Sequence, residues 1–180
     1  MSEVYTMTIA GLTRDLPLCP ISDKTNIAGF VMFSDVELTV AASTALLERS
    51  PEFDVIVTAE SKGIPLAYEM ARQSGKPYVV ARKKIKLYMP NPVSVTVKSI
   101  TTANEQTLHL GDDTAHLIKG KRVLIVDDVI STGESLLALE KLVNTIGGSI
   151  VAKEAVLAEG GAADRDDIIF LEPLPLFARK

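Results

Sequence analysis

Two adjacent carboxylates stand at the end of an apolar run in the second half of the chain. Residues 123 to 135 are VLIVDDVISTGES, so Asp127 and Asp128 directly follow four apolar residues. Because like charges repel, a buried strand that ends on such a pair needs a partner for it. A few positions later the chain supplies hydroxyls, a glycine and a further acid, namely Ser131, Thr132, Gly133, Glu134 and Ser135.

The hydroxyl loop suits a phosphate, and the acid pair suits a diol. Residues 129 to 133 lead into a predicted helix, whose first N–H groups are unpaired and whose dipole favours an anion. The carboxylates of Asp127 and Asp128 repel a phosphate, but they can accept hydrogen bonds from two neighbouring hydroxyls or hold a divalent cation through water. A sugar that carries a phosphate at one end and a vicinal diol at the other satisfies both halves. The motif therefore predicts a ribose 5-phosphate site.

Two other protein classes also end a strand on carboxylates. Receiver domains of response regulators place the pair near the start of the domain and a phospho-accepting Asp one strand later. Here only about 50 residues follow the pair, and the next predicted strand, Ser149–Leu157, contains no Asp. Nucleoside triphosphatases of the P-loop class need a G-x-x-x-x-G-K-[ST] segment, which this chain lacks. Both classes are therefore disfavoured.

Placing these residues at one site requires a parallel sheet. Residues 53 to 83 predict a strand at Val55–Val57, a helix that begins near Pro65 and ends at Gly75, and a strand at Tyr78–Ala81. The acid motif begins a second unit of this kind, with its strand at Arg122–Val126. Such βαβ units form parallel sheets, and their ligands bind beyond the carboxyl ends of the strands. The chain is therefore predicted to be α/β, with a mostly parallel sheet flanked by helices.

An N-terminal segment precedes this sheet. Residues 1 to 35 contain one strand candidate, Tyr5–Ile9, followed by turn-forming glycine and prolines, which predicts a small, irregular hood. Asp35 then stands where the N-cap of a helix is expected. We predict a single compact domain overall, with the hood at residues 1–35 and the main body at residues 36–180.

A ribbon is predicted between the two βαβ units. Val93–Val97 alternates apolar and polar residues, Thr102–Glu105 has the composition of a turn, and Thr107–Leu110 has that of a returning strand. We expect residues 87 to 110 to project from the sheet as a two-stranded lid.

Composition narrows the function classes. With 180 residues and 47% hydrophobic content, the chain can bury a substantial core, and a net charge of −4 argues against a general nucleic-acid binder. The single cysteine, Cys19, excludes an intramolecular disulfide and a cysteine zinc cage. We find neither a signal-peptide pattern nor an apolar run long enough to span a membrane. We therefore expect a soluble cytoplasmic protein that binds no membrane.

The acid motif resembles the phosphoribosylpyrophosphate-binding motif of type I phosphoribosyltransferases. The resemblance extends over residues 33 to 157 and is greatest to adenine and xanthine phosphoribosyltransferases and to the purine-repressor effector domain. It implies the type I phosphoribosyltransferase fold. It also implies that Asp127 and Asp128 contact the ribose 2- and 3-hydroxyls and that residues 131 to 135 hold the 5-phosphate.

Further segments are similar to the family's pyrophosphate and base sites. The segment TAESKG, residues 58 to 63, stands where the pyrophosphate loop is expected, with Lys62 in place of the usual arginine. The strand end VVARKK resembles the family's Val-Arg-Lys segment. The resemblance thus implies pyrophosphate contacts for Glu60, Ser61, Lys62, Arg82 and Lys83.

The base site is less well specified. The segment FVMFSDVEL is similar to the Phe-Arg-Asp-Val segment of adenine enzymes, which implies that Phe33 stacks on the base and that Ser34 replaces an arginine. Counting from the phosphate loop places Glu159 where xanthine enzymes have a base-reading lysine. Because a carboxylate accepts hydrogen bonds, Glu159 favours a purine that carries an amino group, such as adenine.

The resemblance implies a purine phosphoribosyltransferase, with adenine as the favoured base. The implied partners are phosphoribosylpyrophosphate, a purine base, a second copy of the chain in a homodimer, and Mg²⁺ held mainly through the ligand rather than by protein side chains. Two alternatives remain at this stage. The chain could sense phosphoribosylpyrophosphate without catalysis, or it could accept xanthine, hypoxanthine or another base.

Overall fold

The structure of the protein is a computed structural model that describes residues 3–98 and 105–179. It contains eleven strands: Val4–Ile9 (β1), Leu12–Pro20 (β2), Thr25–Ala28 (β3), Val55–Ala59 (β4), Tyr78–Ala81 (β5), Val93–Lys98 (β6), Glu105–Leu110 (β7), Arg122–Ile130 (β8), Ser149–Glu159 (β9), Ile169–Leu174 (β10) and Phe177–Ala178 (β11). The α-helices are Val36–Leu47 (α1), Ile64–Ser74 (α2), Asp112–Ala115 (α3) and Glu134–Ile146 (α4), and a 3₁₀ turn follows β9 at Gly160–Asp164. Within these described ranges no helix is both long enough and apolar enough to cross a membrane.

Five strands form the central sheet in the order β10-β9-β8-β4-β5. Each neighbouring pair is parallel, as the two βαβ units predict. Because side chains of a strand alternate between its faces, β8 contributes to two cores. Leu124 packs with α1, α2 and the N-terminal strands, whereas Val123 and Ile125 pack with α4 and the ribbon. The sheet is therefore covered on both faces, which confirms the predicted fold class.

The two long crossover helices begin and end where the sequence predicts. Pro65 lies in the first turn of α2, where its missing N–H costs nothing, and the helix ends at Gly75 with φ of 69°. Helix α4 begins after Gly133 and ends at Gly147, which have φ of 82° and 90°. Glycine adopts these left-handed conformations without the steric cost that other residues meet. Both helices therefore start directly after a loop at the carboxyl edge of the sheet.

The N-terminal segment is an ordered sheet, so the prediction of an irregular hood is wrong in this respect. Strands β1, β2 and β3 are antiparallel neighbours, and β1 and β2 are joined by a tight turn in which Ala10 and Gly11 have φ of 49° and 81°. The fourth strand of this sheet, β11, comes from the other end of the chain and pairs with β3. The boundary at residue 35 stays a prediction.

Ion pairs connect the hood to the first helix, α1. Asp35 caps α1 by accepting a hydrogen bond from the N–H of Leu38 at 3.1 Å, as predicted. From β2, Arg14 donates to both carboxylate oxygens of Asp35, at 2.7 and 3.1 Å, and to Glu37 at 2.8 Å. The Arg14 guanidinium holds the pKa of Asp35 below its usual range. The start of α1 and the preceding turn are thus tied to the hood.

The predicted ribbon is present as the antiparallel pair β6 and β7. Its apolar face is buried, with Val95 and Leu108 in the core beside α4, and Lys141 of that helix donates to the carbonyl of Thr96 at 2.9 Å. The predicted turn at Thr102–Glu105 lies outside the described residues, except for Glu105 itself. The function of the ribbon as a lid stays a prediction.

Candidate active site

The acid pair lies at the ligand-binding edge of the sheet. In β8, Asp128 is only 3% exposed, and its Oδ2 lies 2.9 Å from Nζ of Lys62. The Oδ1 of Asp127 accepts a hydrogen bond from the backbone N–H of Asp128 at 2.9 Å. Burial raises the pKa of Asp127 above its ordinary value, and the neighbouring charge of Asp128 raises it further, while Lys62 opposes both effects. The buried pair is therefore electrostatically unfavourable, and a cation, hydrogen-bond donors or a proton would relieve it.

The loop after β4 packs directly against these acids. The peptide bond between Glu60 and Ser61 is cis, and α2 begins just beyond, directly after its N-cap residue Gly63. A side-chain carbon on Gly63 would lie 2.5 Å from Oγ1 of Thr58 and 3.0 Å from Oδ1 of Asp127. No residue larger than glycine fits there without a shift of the loop or of the acid. The predicted pyrophosphate loop and the predicted ribose site are thus in contact.

Cationic residues follow the neighbouring strand β5. Glu60 accepts a hydrogen bond from the N–H of Lys83 at 3.1 Å, and its other oxygen lies 3.5 Å from Nη2 of Arg82. The backbone of Arg82 exchanges two hydrogen bonds of 2.8 Å with His109 of the ribbon. The Nε of Arg82 is buried and has no hydrogen-bond partner among the described residues. Arg82 and Lys83 are therefore placed beside the loop that contains Ser61 and Lys62, through their contacts with Glu60.

The hydroxyl loop forms a small concave site at the start of α4. Residues 129 to 136 and Asp127 line a cavity of about 50 Å³. Ser131 and Thr132 are exposed at its rim, and Gly133 adopts the left-handed conformation that starts the helix. The hydroxyl of Ser135 accepts a hydrogen bond from the side-chain amide of Gln106 in β7, at 3.0 Å. The predicted phosphate residues therefore share one cradle, which contacts the ribbon.

The predicted base residues lie in two different cavities. Phe33 and Ser34 line a mainly apolar cavity of about 290 Å³ between the first turns of α1 and α2. Ser34 has a φ of 69°, and the Phe33 side chain is 49% exposed. Glu159 instead lines a cavity of about 440 Å³ that it shares with Ser131 and Thr132 of the phosphate loop. Burial raises the pKa of Glu159, and the charge of Lys62 opposes this rise. Glu159 is thus the base candidate next to the phosphate loop.

The oxygen ligands available to a metal are the two acids of β8. Among the described residues no group of three or more histidine, cysteine, aspartate or glutamate side chains is close enough to hold a metal ion. Carboxylate oxygens are nonetheless the donors that Mg²⁺ prefers, usually alongside water and substrate phosphates. Asp127 and Asp128 therefore fit a magnesium ion that is carried mainly by a phosphorylated ligand.

A family model for the phosphoribosyl transferase domain matches residues 39–171. The chain belongs to the phosphoribosyltransferase family. The match includes both acids, both anion loops and Glu159, so the expectation of an enzyme of this class is confirmed.

Relatives within the family act on purines, according to their names. The chain is 33% identical to a hypoxanthine/guanine phosphoribosyltransferase of Methanococcus voltae over 141 residues, which cover 78% of the chain and 69% of that relative. It is 40% identical to an adenine phosphoribosyltransferase of Thermotoga maritima over 101 residues, which cover 56% of each protein. The chain thus matches just over half the length of the Thermotoga relative.

Solved structures of the family share the fold. The adenine phosphoribosyltransferase of Thermoanaerobacter pseudethanolicus superimposes with a TM-score of 0.73 and 23% identity, covering 88% of this chain and 95% of the other. At that identity the likeness shows the fold alone.

Two residues near the cradle have no signal in the sequence. Gln106 reaches Ser135 from the ribbon, and Arg165 approaches Gly133 from the segment after the 3₁₀ turn. Both are separated from the loop by about 30 residues. Neither belongs to a local motif, so only the folded chain brings them to the site.

Proposed function

We propose that the protein transfers the ribose 5-phosphate group of phosphoribosylpyrophosphate to a purine base, with adenine as the acceptor and pyrophosphate as the second product. One observation carries the proposal. The acid pair of β8 is in contact, through Gly63 and Lys62, with a second anion loop, while the phosphate cradle follows on its other side. A sugar bound to the acids thus has one anion site at each end, which is the charge distribution of phosphoribosylpyrophosphate.

Each part of the site then has one task. Asp127 and Asp128 accept hydrogen bonds from the ribose diol, and the cradle binds the 5-phosphate. The donors of residues 61–62, Arg82 and Lys83 bind pyrophosphate. Glu60, whose own N–H donates to the carbonyl of Ala81, positions Lys83 and Arg82 beside them. Mg²⁺ would neutralise the pyrophosphate and would be held by its oxygens together with the acid pair. A bond forms between a ring nitrogen of the base and the anomeric carbon while the bond to pyrophosphate breaks, and the proton of that nitrogen passes to the departing pyrophosphate or to solvent. The protein orients both reactants and stabilises the departing charge.

Glu159 supports adenine as the acceptor. Glu159 lines the cavity next to the phosphate loop, where an exocyclic amine of a base could donate to its carboxylate. The Thermotoga relative, at 40% identity, also carries the adenine name. The Methanococcus relative extends over more of the chain and favours an oxopurine acceptor instead. An oxopurine phosphoribosyltransferase is therefore the second candidate.

We also propose a homodimer. Large apolar side chains remain exposed around the cavity between α1 and α2, among them Phe33, Val36 and Tyr68 at 49%, 73% and 55%. Tyr68 also packs edge-on against the exposed Tyr78. A second copy of the chain would cover this surface. Light scattering on the purified protein should give twice the chain mass of 19.4 kDa, and a mass of one chain at micromolar concentration would contradict the dimer.

One assay tests the activity. The purified protein is incubated with phosphoribosylpyrophosphate, Mg²⁺ and, separately, adenine, hypoxanthine, guanine and xanthine, and the released pyrophosphate is measured. We expect release with adenine and much slower release with the oxopurines. The opposite preference would assign the oxopurine function. Binding of phosphoribosylpyrophosphate without turnover of any base would instead identify a sensor.

A further inference from the structure

The phosphate cradle lacks a cation of its own. Residues 129 to 135 contain one charged side chain, Glu134, and it is an acid. A phosphate monoester carries between one and two negative charges near neutral pH. Backbone N–H groups and hydroxyls can bind such an anion, but a guanidinium or ammonium contact makes the hydrogen bonds shorter and stronger. A cation from another part of the chain would therefore complete the site.

Arg165 is placed to supply that cation. It directly follows the 3₁₀ turn Gly160–Asp164, which begins at the end of β9. A side-chain carbon on Gly133 would lie 2.8 Å from Nη1 of Arg165, so this nitrogen is in close contact with the turn that starts α4. Arg165 also lines the 440 Å³ cavity together with Ser131 and Thr132. Its guanidinium thus borders the cradle and the adjoining cavity.

The orientation of this guanidinium is fixed by an acid on its opposite edge. Nε and Nη2 of Arg165 each donate to Asp167, both at 2.8 Å. Asp167 is also bound by Lys153 of β9, and Lys153 lies 2.9 Å from Glu140 of α4. This chain of ion pairs connects α4, β9 and the segment before β10. Nη1 is the nitrogen that remains outside the Asp167 fork, and it is the one next to Gly133.

We propose that Nη1 of Arg165 binds the 5-phosphate of the donor and that Asp167 holds the guanidinium in place for it. The proposal rests on the proposed function and adds a residue to its phosphate site. The planar guanidinium can keep its two bonds to Asp167 while its outer edge donates to a phosphate oxygen. Gly133 is required in this arrangement for two reasons, since its φ of 82° and the proximity of Nη1 both disfavour a side chain.

The test compares a ligand that carries the 5-phosphate with one that does not. Dissociation constants of phosphoribosylpyrophosphate, ribose 5-phosphate and pyrophosphate are measured by calorimetry, with Mg²⁺, for the full chain and for Arg165→Ala. Loss of a hydrogen bond to a charged group predicts that the two ribose phosphates bind about 10- to 100-fold more weakly. Pyrophosphate affinity should not change. Arg165→Lys should recover part of the loss, because it restores the charge without the fork.

The matched control is Arg122→Ala. Arg122 forms a comparable fork with Asp54, but it does so at the amino end of β8, at the opposite edge of the sheet from the site. Its variant should bind all three ligands as the parent does. Equal weakening of pyrophosphate and ribose phosphates in Arg165→Ala would indicate a general structural effect and overturn the inference, as would unchanged affinity for every ligand.

Two further outcomes separate this inference from the proposed function. A higher KM for the base alone, with donor affinity unchanged, would mean that Arg165 contacts the base, and the phosphate assignment would be wrong. A parent protein that binds neither ribose phosphate would overturn the proposed function and this inference together. If the parent protein and the Arg165→Ala variant bind phosphoribosylpyrophosphate and ribose 5-phosphate with equal affinity, only the inference about Arg165 is overturned.

Discussion

Acids are buried at two places in the central sheet, and their surroundings differ. Asp128 lies at the carboxyl end of β8 with Nζ of Lys62 at 2.9 Å, next to a loop built to receive anions. Glu154 lies within β9, fully buried, and accepts one hydrogen bond at 3.0 Å from the neutral hydroxyl of Ser50. Its second oxygen, Oε1, has no partner within the described part of the chain. A ligand could relieve the stress on Asp128, whereas Glu154 is enclosed.

This contrast shows how position in the sheet decides what a buried carboxyl does. Burying a charge is costly wherever it occurs, so both sites reduce stability unless they are compensated. At the carboxyl edge of the sheet, a sugar diol and a metal ion can interact with the buried charge. Part of the free energy lost by burying the charge is then recovered when the ligand binds. Inside the strand, the buried carboxyl can be neutralised only by taking up a proton, so the free energy of unfolding becomes dependent on pH.

The largest effect is expected from removing the charges of the acid pair. Asp127→Asn together with Asp128→Asn replaces two acceptors of the ribose diol with amides and leaves Lys62 without its counter-charge. Two hydrogen bonds to charged groups contribute about 3–6 kcal/mol, so phosphoribosylpyrophosphate should bind at least about 100-fold more weakly. Calorimetric titration measures the loss, and circular dichroism checks the fold.

Asp54→Asn is the control for this double variant. Asp54 pairs with Arg122 at the amino edge of the same sheet, far from the cradle. Its replacement should leave donor affinity unchanged. If the double variant keeps the affinity of the parent, the diol assignment is wrong and the two acids serve only the fold.

A methyl group at Gly63 should have the next largest effect. Gly63→Ala places a carbon 2.5 Å from Oγ1 of Thr58 and 3.0 Å from Oδ1 of Asp127, so the pyrophosphate loop or the acid must move. Misplacement by about 1 Å costs about 100-fold in rate, and overpacking costs about 1–3 kcal/mol of stability. Steady-state kinetics and denaturant unfolding measure the two effects. Gly29→Ala, whose new carbon would meet its neighbours at an ordinary 3.5 Å, should change neither.

The edge of the sheet was predictable from the sequence because its chemistry is local. Asp127, Asp128 and the five cradle residues follow one another within nine positions, and the period of the flanking strands and helices placed them at a strand end. The family resemblance placed the predicted pyrophosphate loop at residues 58 to 63, and this polar segment joins the end of β4 to the start of α2. In the acid motif and in residues 58 to 63, the residues that form the turn are also the predicted ligand-binding residues. One sequence pattern therefore indicates both the turn and the site.

Non-local pairing explains what the sequence did not predict. The hood is an ordered sheet because β11 adds to β3 across about 150 residues, and no local pattern indicates that contact. Arg165 reaches Gly133 only after β9 and the 3₁₀ turn bring the two segments together. Phe33 and Glu159 were both predicted to contact the base, but cavity shape depends on packing, and they line separate cavities.

Single substitutions can decide between these two cavities, with a smaller expected effect. If the base occupies the cavity beside the phosphate loop, Glu159→Gln should raise the KM of adenine by up to about 10-fold, because the neutral amide oxygen accepts a weaker hydrogen bond than the carboxylate does. The KM of phosphoribosylpyrophosphate should not change. Phe33→Ala should then have little effect. The reverse result, with the base KM raised by Phe33→Ala alone, would place the base against the first turn of α1.

Glu154, the acid inside β9, should affect the pH dependence of stability and should not affect ligand binding. Burial raises the pKa of Glu154 from 4.5 in the unfolded chain to about 7 in the fold, while the Ser50 hydrogen bond and the charge of Arg49 oppose this rise. Between these two values the folded state holds a proton that the unfolded state has released. The free energy of unfolding therefore falls as pH rises through this window, by about 3 kcal/mol in total, and stays low above pH 7.

Glu154→Gln should abolish this component of the pH dependence, because glutamine keeps the shape of the side chain and carries no charge. Denaturant unfolding at pH 5 and pH 8 should show a smaller difference in the variant than in the parent, and the variant should be the more stable of the two at pH 8. Glu52→Gln, at a side chain that is 89% exposed, should preserve the parental slope. A variant at position 154 that keeps the full slope would mean that Glu154 stays ionised in the fold. In that case the contrast with Asp128 would lie in access to ligand alone.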